Sequence, residues 1–125
     1  MLILAFDDQQ ELNKLQTVLK QILGGNLQFQ GFDSIQELLK AAEKNGYDVV
    51  FADMEIQNQK GILLLGELAL HYPRTNYVGT AAKLSNSDAM TMHRIHSGYI
   101  IKPYTREIVS DTLKYLRYPV KEAVS

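Results

Sequence analysis

Two unbroken apolar runs end at acidic residues, and they indicate buried strands. Leu2 to Phe6 (LILAF) ends at the pair Asp7 and Asp8, and residues 48–52 (DVVFA) end at Asp53. A short apolar run without polar alternation is typical of a strand buried on both faces. The acids then mark the points at which the two predicted strands reach solvent.

Three further segments complete a set of five predicted strands. Residues 27–32 (LQFQGF) alternate apolar and polar side chains, which favours a strand with one wetter face near a sheet edge. Residues 76–80 (NYVGT) favour another central strand, and residues 98–101 (GYII) favour the last one. In chain order the predicted strands are β1 (2–6), β2 (27–32), β3 (48–52), β4 (76–80) and β5 (98–101).

Between the strands, apolar residues recur with the spacing of one stripe on an amphipathic helix. Ser34 followed by Glu37 is a capping-box pattern that begins the second helix, and Thr105 is the expected N-cap of the fifth. Gly24 ends the first helix and Pro73 closes the third. The predicted helices are α1 (10–23), α2 (35–45), α3 (61–72), α4 (84 to about 96) and α5 (105–118).

The predicted elements alternate as a strand followed by a helix, five times over. Alternating buried strands and helices predict a parallel sheet covered on both faces, because crossovers between parallel strands are right-handed. The predicted fold class is therefore α/β, a doubly wound (βα)5 three-layer sandwich of the flavodoxin-like type with strand order 2-1-3-4-5. We expect one domain over residues 1–118, followed by a short tail at 119–125.

Composition narrows the function classes. The 125 residues suffice for one domain, and the formal net charge of -1 provides no basic field for nucleic acid. The absence of cysteine excludes disulfides, thiolate metal sites and cysteine catalysis, so no oxidising compartment is needed. Because Asp7 and Asp8 interrupt the first apolar run, we expect neither a leader peptide nor a membrane span of about 20 residues. The chain is expected to be cytoplasmic.

Polar residues that follow the predicted strands are the candidate site. Asp7, Asp8, Asp53, Thr80 and Lys102 each lie just past an apolar strand, so the fold brings them to one edge of the sheet. Carboxylates repel one another by about 4 kcal/mol per pair at 4 Å and an effective dielectric constant of 20, so these acids need either a cation or a raised pKa. Hard oxygen ligands favour Mg²⁺, and a lysine with a hydroxyl donor completes a site for a phosphoryl group.

With these residues in this order, the chain resembles the receiver domains of bacterial two-component response regulators. The resemblance spans nearly all of residues 1–118. It rests on an ordered set of residues: Asp7-Asp8 after β1, Asp53 after β3, Gly61 eight residues later, Thr80 after β4, Tyr99 within β5, and Lys102-Pro103 after it.

The resemblance implies a role for each acid. Asp53 would accept a phosphoryl group from a sensor histidine kinase. Asp8, Asp53 and the backbone carbonyl of Glu55 would ligate Mg²⁺, and Asp7 would assist through a water molecule. Lys102 would pair with the acyl phosphate. The chain would then be a signalling switch and not an enzyme.

The resemblance also implies how the signal leaves the site. Thr80 and Tyr99 would report the phosphoryl group to the α4-β5-α5 surface, which could also form a homodimer, and the Lys102-Pro103 bond would be cis. Residues 116–119 (LRYP) resemble the end of receivers that precede a DNA-binding output domain. The output would then be transcription, and residues 119–125 would begin the linker to an output domain.

Departures from the family pattern leave one main alternative. Gln57 stands where many receivers have proline, in an unusually polar loop (IQNQK, 56–60), so the rigidity of the loop and the orientation of the Glu55 carbonyl are open. A degenerate receiver that binds partners without phosphorylation is therefore the alternative function. The weak amphipathic pattern of α4 also predicts a helix that is short or mobile.

Two readings from other protein classes fit the sequence less well. A phosphohydrolase of the haloacid dehalogenase type would carry its nucleophile after the first strand, and this chain has Asp53 after the third. A carrier of flavin mononucleotide would need a small, neutral phosphate loop after β1, where residues 7–12 (DDQQEL) would repel the phosphate.

Overall fold

The predicted doubly wound architecture is confirmed in the computed structural model, which describes residues 1–95 and 98–118. Five parallel strands form one sheet in the order β2-β1-β3-β4-β5. The elements are β1 (Leu2–Phe6), α1 (Gln9–Leu23), a 3-10 helix (Gly24–Asn26), β2 (Gln28–Phe32), α2 (Ile35–Lys44), β3 (Val49–Asp53), α3 (Gly61–His71), β4 (Asn76–Ala81), α4 (Asn86–Arg94), β5 (Gly98–Ile101) and α5 (Arg106–Lys114).

Each face of the sheet supports its own apolar core. On β1 and β3, side chains alternate between the two faces, as the pleat requires. Leu4 and Val50 face the layer formed by α2, α3 and α4, whereas Ile3 and Val49 face the layer formed by α1 and α5. All four side chains are completely buried, which explains why these strands are apolar at every position.

The bounds of α4 and α5 differ from the prediction by two residues or more, although α4, with nine residues, is short as expected. The Ser85 hydroxyl accepts a hydrogen bond from the Asp88 amide, so α4 begins at Asn86, and the prediction that it begins at Leu84 is wrong. The prediction that α5 continues to Tyr118 is also wrong. The Asn76 amide binds both backbone groups of Tyr118, which holds that residue in a non-helical conformation. The predicted end of α4 near His96 and the predicted tail at 119–125 lie outside the described residues.

The strand register brings the candidate site residues together. Asp53 is paired with Thr80 across β3 and β4. The backbone amide of Lys102 donates to the Ala81 carbonyl at 2.9 Å, which places Lys102 beside the end of β4. Asp7 follows β1, the neighbour of β3 on its other side. The carboxyl ends of the central strands therefore converge on one edge of the sheet, as the sequence predicted.

In the part of the chain that the structure describes, no helix is both long and apolar enough to cross a membrane.

Candidate functional site

The centre of the site is the Lys102 ammonium group, which lies between two aspartates. Its Nζ atom is 2.8 Å from Oδ2 of Asp7 and 2.8 Å from Oδ2 of Asp53. All three side chains are largely shielded from solvent, so these are ion pairs in a medium of lower dielectric constant than water. The lysine supplies the positive charge that the sequence predicted these carboxylates to need.

Burial and the neighbouring charges shift the pKa values of these groups in opposite directions. Burial raises the pKa of Asp7 above its usual range, and the nearby Lys102 only partly opposes this shift. Burial lowers the pKa of Lys102, but its hydrogen bonds to Asp53 and Asp7 and their charges outweigh that effect and raise the pKa. The lysine therefore stays charged. Asp7 shares this one positive charge with Asp53, and burial disfavours the charged form of Asp7.

Both oxygens of the Asp53 carboxylate have a defined partner. Oδ1 accepts a hydrogen bond from the backbone amide of Glu55 at 2.9 Å, and Oδ2 faces Lys102. The residue lies at the end of β3, where the Met54 amide also donates to the Thr80 carbonyl. Rotation of this carboxylate is thus restricted by one fixed donor on each oxygen.

Asp8 has a second role that the sequence analysis missed. Its Oδ1 atom accepts a hydrogen bond from the Glu11 amide at 3.0 Å, so Asp8 is the N-cap of α1. The same side chain lines the cavity that contains Asp53. One oxygen of Asp8 therefore fixes the helix while the side chain as a whole faces the site.

An open cavity of about 410 Å³ surrounds these groups. It holds five acidic residues against one lysine, so it attracts cations and repels free anions. Its lining residues are Asp7, Asp8, Glu11, Asp53, Met54, Glu55, Ile56, Ala81, Ala82 and Lys102.

The donor set fits Mg²⁺. Within residues 1–95 and 98–118, no three His, Cys, Asp or Glu side chains are grouped closely enough to hold a metal by themselves. Mg²⁺ does not need such a cage, because it keeps several waters and is usually held by one or two carboxylates. Asp8 and Asp53 line the cavity together with Glu55, whose backbone carbonyl is the third ligand that the family resemblance implies.

Thr80, which the sequence predicted to share this site, does not line the cavity. The residue is completely buried on β4, and its hydroxyl makes no hydrogen bond of normal geometry to any described residue. The Thr80 hydroxyl nevertheless lies close enough to Tyr104 to act on the pKa of its phenol. A buried hydroxyl in this condition is free to turn toward an acceptor that arrives beside Asp53.

Tyr99 lies farther from the acids, on the edge strand β5. It is paired with Gly79 across the sheet, and its ring packs with the core of the α2, α3 and α4 layer. Its hydroxyl is buried and has no hydrogen-bond partner among the described residues. The hydroxyl is therefore already inside the protein in this structure.

Two further residues belong to the site although the sequence analysis did not select them. Glu11 lies on the first turn of α1, with Oε2 3.9 Å from Nζ of Lys102. The Tyr104 hydroxyl donates to Oδ2 of Asp7 at 3.4 Å, and burial raises the pKa of its phenol. Glu11 sits one helical turn after Asp7, and Tyr104 follows the Lys102-Pro103 dipeptide, so both could have been found by proximity to predicted residues.

The loop after β3 forms a tight hairpin. Gln57 and Asn58 both have positive φ, at 49° and 63°, and the backbone groups of Ile56 and Gln59 bond to each other in both directions. Two consecutive residues with positive φ are the pattern of a type I′ turn. The loop therefore has a hydrogen-bonded turn conformation without the proline that Gln57 replaces. On the other side of the cavity, the Lys102-Pro103 peptide bond is cis.

Comparison with known proteins gives a consistent result. The family model of the response regulator receiver domain matches residues 3–114. No curated protein matches the sequence closely enough to count as a relative.

Solved structures of receiver domains share the fold. The response regulator TrrA from Thermotoga maritima, in complex with Mg²⁺ and BeF, has a TM-score of 0.76 at 16% identity, over 90% of this chain and 95% of that one. A receiver domain protein from Clostridium thermocellum has a TM-score of 0.78 at 22% identity, over 89% of each chain. The beryllofluoride-activated NtrC4 receiver dimer has a TM-score of 0.79 at 14% identity, over 91% and 93%. At these identities the likeness shows the fold alone.

Proposed function

Because this chain belongs to the family of response regulator receiver domains, we propose that it is a phosphoryl-accepting switch whose acceptor is Asp53. The observation that carries the proposal is the 2.8 Å ion pair between Asp53 and Lys102 inside a cavity lined by carboxylates. The phosphoryl donor would be a phosphohistidine of a sensor histidine kinase. Asp53 is itself the group that is modified, so the chain acts as a switch and not as an enzyme.

The proposed transfer needs a carboxylate held in one orientation. An Asp53 oxygen forms a bond to phosphorus while the bond from phosphorus to the imidazole nitrogen breaks, and the imidazole keeps the electron pair. Lys102 is placed to pair with the negative phosphoryl oxygens. The Glu55 amide, which donates to the other Asp53 oxygen, keeps the carboxylate from turning away.

The proposed cofactor is Mg²⁺. Asp8, Asp53 and the backbone carbonyl of Glu55 would hold it, and Asp7 would contact it through a water molecule. When bound, it neutralises charge on the phosphoryl oxygens and orients donor and acceptor. TrrA from Thermotoga maritima, which shares this fold, was solved with Mg²⁺ and BeF.

The proposed output surface is formed by α4, β5 and α5. The Thr80 hydroxyl would turn toward the phosphoryl group, and Tyr99 would respond on β5. The NtrC4 receiver in its beryllofluoride-activated form is a dimer, and we propose that the same three elements form a homodimer here. Control of transcription through a DNA-binding domain is the proposed output, with no contact to nucleic acid or membrane by residues 1–118 themselves.

The remaining parts of the proposal concern location and the alternative function. We propose a cytoplasmic location, which is consistent with the receiver domain family to which residues 3–114 belong. Residues 1–118 would form the receiver domain, with 119–125 as the start of a linker. The alternative, a degenerate receiver that binds partners without phosphorylation, rests on the loop around Gln57, and the hydrogen-bonded hairpin in that loop supports the phosphorylated switch instead.

Phosphorylation of Asp53 is directly testable. The protein is incubated with Mg²⁺ and acetyl phosphate, and the intact mass is measured. We expect one added phosphoryl group in the wild type, none in Asp53→Ala, and none in the wild type when EDTA replaces Mg²⁺. Equal modification of the wild type and Asp53→Ala would disprove the assignment.

A further inference from the structure

The side chain of Gln59 connects the loop after β3 to the beginning of α2. Its Nε2 atom donates to the backbone carbonyl of Asp33 at 3.0 Å, and its Oε1 atom accepts from the backbone amide of Ile35 at 2.9 Å. Ile35 is the first residue of α2, so its amide has no partner within the helix. Both the oxygen and the nitrogen of the Gln59 side-chain amide are therefore hydrogen-bonded, to residues 24 and 26 positions away in the sequence.

The hairpin that ends at Gln59 needs such an attachment. Left-handed backbone costs roughly 1 to 2 kcal/mol for most residues, and although asparagine adopts it readily at Asn58, Gln57 beside it does not have that advantage. Conformations of this kind persist when surrounding contacts fix them. The backbone bonds between Ile56 and Gln59 close the hairpin, and the Gln59 side chain fixes the closed hairpin to another part of the protein.

Glu55 lies between two fixed points of this loop. On one side its own amide is bonded to Oδ1 of Asp53, and on the other Ile56 is bonded to Gln59. Because the Glu55 carbonyl and the Ile56 amide belong to one planar peptide unit, the hydrogen bond from that amide to the Gln59 carbonyl restricts the direction of the Glu55 carbonyl.

We propose that Gln59 is a positioning residue, which sets the affinity for Mg²⁺ by holding the Glu55 carbonyl toward the cavity. The inference rests on the proposed function, because that function makes the Glu55 carbonyl a metal ligand. Gln59 itself does not line the cavity in the described structure, so it acts through the loop and not by touching the ion. It takes the place of the missing proline as the source of loop rigidity.

The test compares Mg²⁺ binding with stability. Calorimetric titration with MgCl₂ gives the dissociation constant, and thermal melting in EDTA gives the stability of the metal-free protein. We expect Gln59→Ala to weaken Mg²⁺ binding about tenfold, the usual size of an effect transmitted through a ligand's support. Gln36→Ala, a change of the same residue type on the exposed side of α2, should leave the affinity unchanged.

Phosphorylation by acetyl phosphate supplies a second readout. The Mg²⁺ concentration that gives half the maximal rate should rise in Gln59→Ala, while the rate at saturating Mg²⁺ stays within about twofold of the wild type. Gln59→Met keeps the length of the side chain and removes both hydrogen bonds, so it should behave in the same way even if the alanine variant is too unstable to use.

The outcomes separate this inference from the proposed function. If the wild type binds Mg²⁺ and both Gln59 variants bind it equally well, the inference is wrong and the proposed function stands. A lower melting temperature with an unchanged dissociation constant would show that Gln59 is merely structural. If the wild type itself binds no Mg²⁺, both the proposed function and the inference are overturned.

Discussion

Gly61 lies directly against the backbone carbonyl of Asp53. A Cβ atom at position 61 would overlap that carbonyl oxygen, and the obstacle is backbone that a side-chain rotation cannot move. The first residue of α3 therefore approaches the end of β3 more closely than any other amino acid would allow. The eight-residue spacing between Asp53 and Gly61, noted in the sequence, has this steric cause.

We predict that Gly61→Ala disturbs both the fold and the acceptor site. Displacing the Asp53 carbonyl or the start of α3 should lower the free energy of unfolding by about 1 to 3 kcal/mol, the usual range for overpacking in a packed region. Gly66→Ala is the matched control, because it lies in the same helix and its Cβ would meet nothing within 4 Å. It should raise stability by about 0.5 to 1 kcal/mol. Urea denaturation measures the free energy of unfolding of both variants, and equal values would contradict the steric argument.

We predict that Asp8→Asn separates metal binding from helix capping. Asparagine is as good an N-cap as aspartate, so the hydrogen bond to the Glu11 amide is kept and the melting temperature in EDTA should not fall. Loss of an anionic ligand should weaken Mg²⁺ binding at least tenfold. In the wild type, Mg²⁺ at ten times its dissociation constant should add about 1.4 kcal/mol to stability.

The contradicting result for this prediction is an equal Mg²⁺-induced rise in melting temperature in Asp8→Asn and the wild type. Asp8→Ala serves as the comparison, because it removes the cap as well as the ligand. Its free energy of unfolding should therefore be about 1 kcal/mol lower than that of the wild type even in EDTA.

We predict that Asp7→Asn stabilises the metal-free protein at neutral pH. The folded pKa of Asp7 is raised by burial, so this group favours folding only when it is protonated, at low pH, and that contribution is lost as the pH rises through the folded pKa. As the pH rises, more of the wild type carries Asp7 as a buried anion, which asparagine replaces with a neutral group. The advantage of Asp7→Asn should shrink as the pH falls toward 3.8.

Thermal melts in EDTA between pH 4 and pH 7 measure this effect. Asp33→Asn changes an exposed acid and should show no comparable pH-dependent gain. A lower melting temperature for Asp7→Asn than for the wild type at pH 7 would mean that the Lys102 ion pair outweighs the burial of Asp7.

The fold and the central residues of the site could be predicted because each follows from a local pattern. Unbroken apolar runs identify strands buried on both faces, and a parallel sheet must bring the ends of those strands together. Asp53, Lys102 and Asp7 lie in contact for that reason. The helix ends were less predictable, because Ser85 and Asn76 fix them through hydrogen bonds that the apolar stripe does not reveal.

The sequence analysis missed residues whose long side chains contact groups that are distant in sequence. Gln59 connects two loops that are distant in sequence, and Tyr104 reaches Asp7 across the sheet edge. Neither contact has a periodic signal. The loop around Gln57 is the clearest case. Its composition left the conformation open, whereas in the structure two left-handed residues form the turn and the Gln59 side chain attaches it to the start of α2.

The last prediction concerns the route from Asp53 to the output surface, and Thr80 is the residue to change. Its completely buried hydroxyl has no hydrogen-bond partner of normal geometry among the described residues. Thr80→Val keeps the shape and removes that hydroxyl, so the metal-free variant should be at least as stable as the wild type. It should also bind beryllofluoride and Mg²⁺, because neither Asp53 nor Lys102 is altered.

The expected difference lies in how far the effect of the phosphate mimic spreads. In the wild type, the Thr80 hydroxyl gains an acceptor when beryllofluoride binds, and a two-state response of this kind is typically worth about 1 to 3 kcal/mol. Amide chemical-shift changes should then extend through residues 80–106, with a rise in the dimer fraction. In Thr80→Val the changes should stay near Asp53 and dimerisation should be lost, whereas Thr17→Val on α1 should respond like the wild type. A full response in Thr80→Val would show that the signal leaves the site by another path.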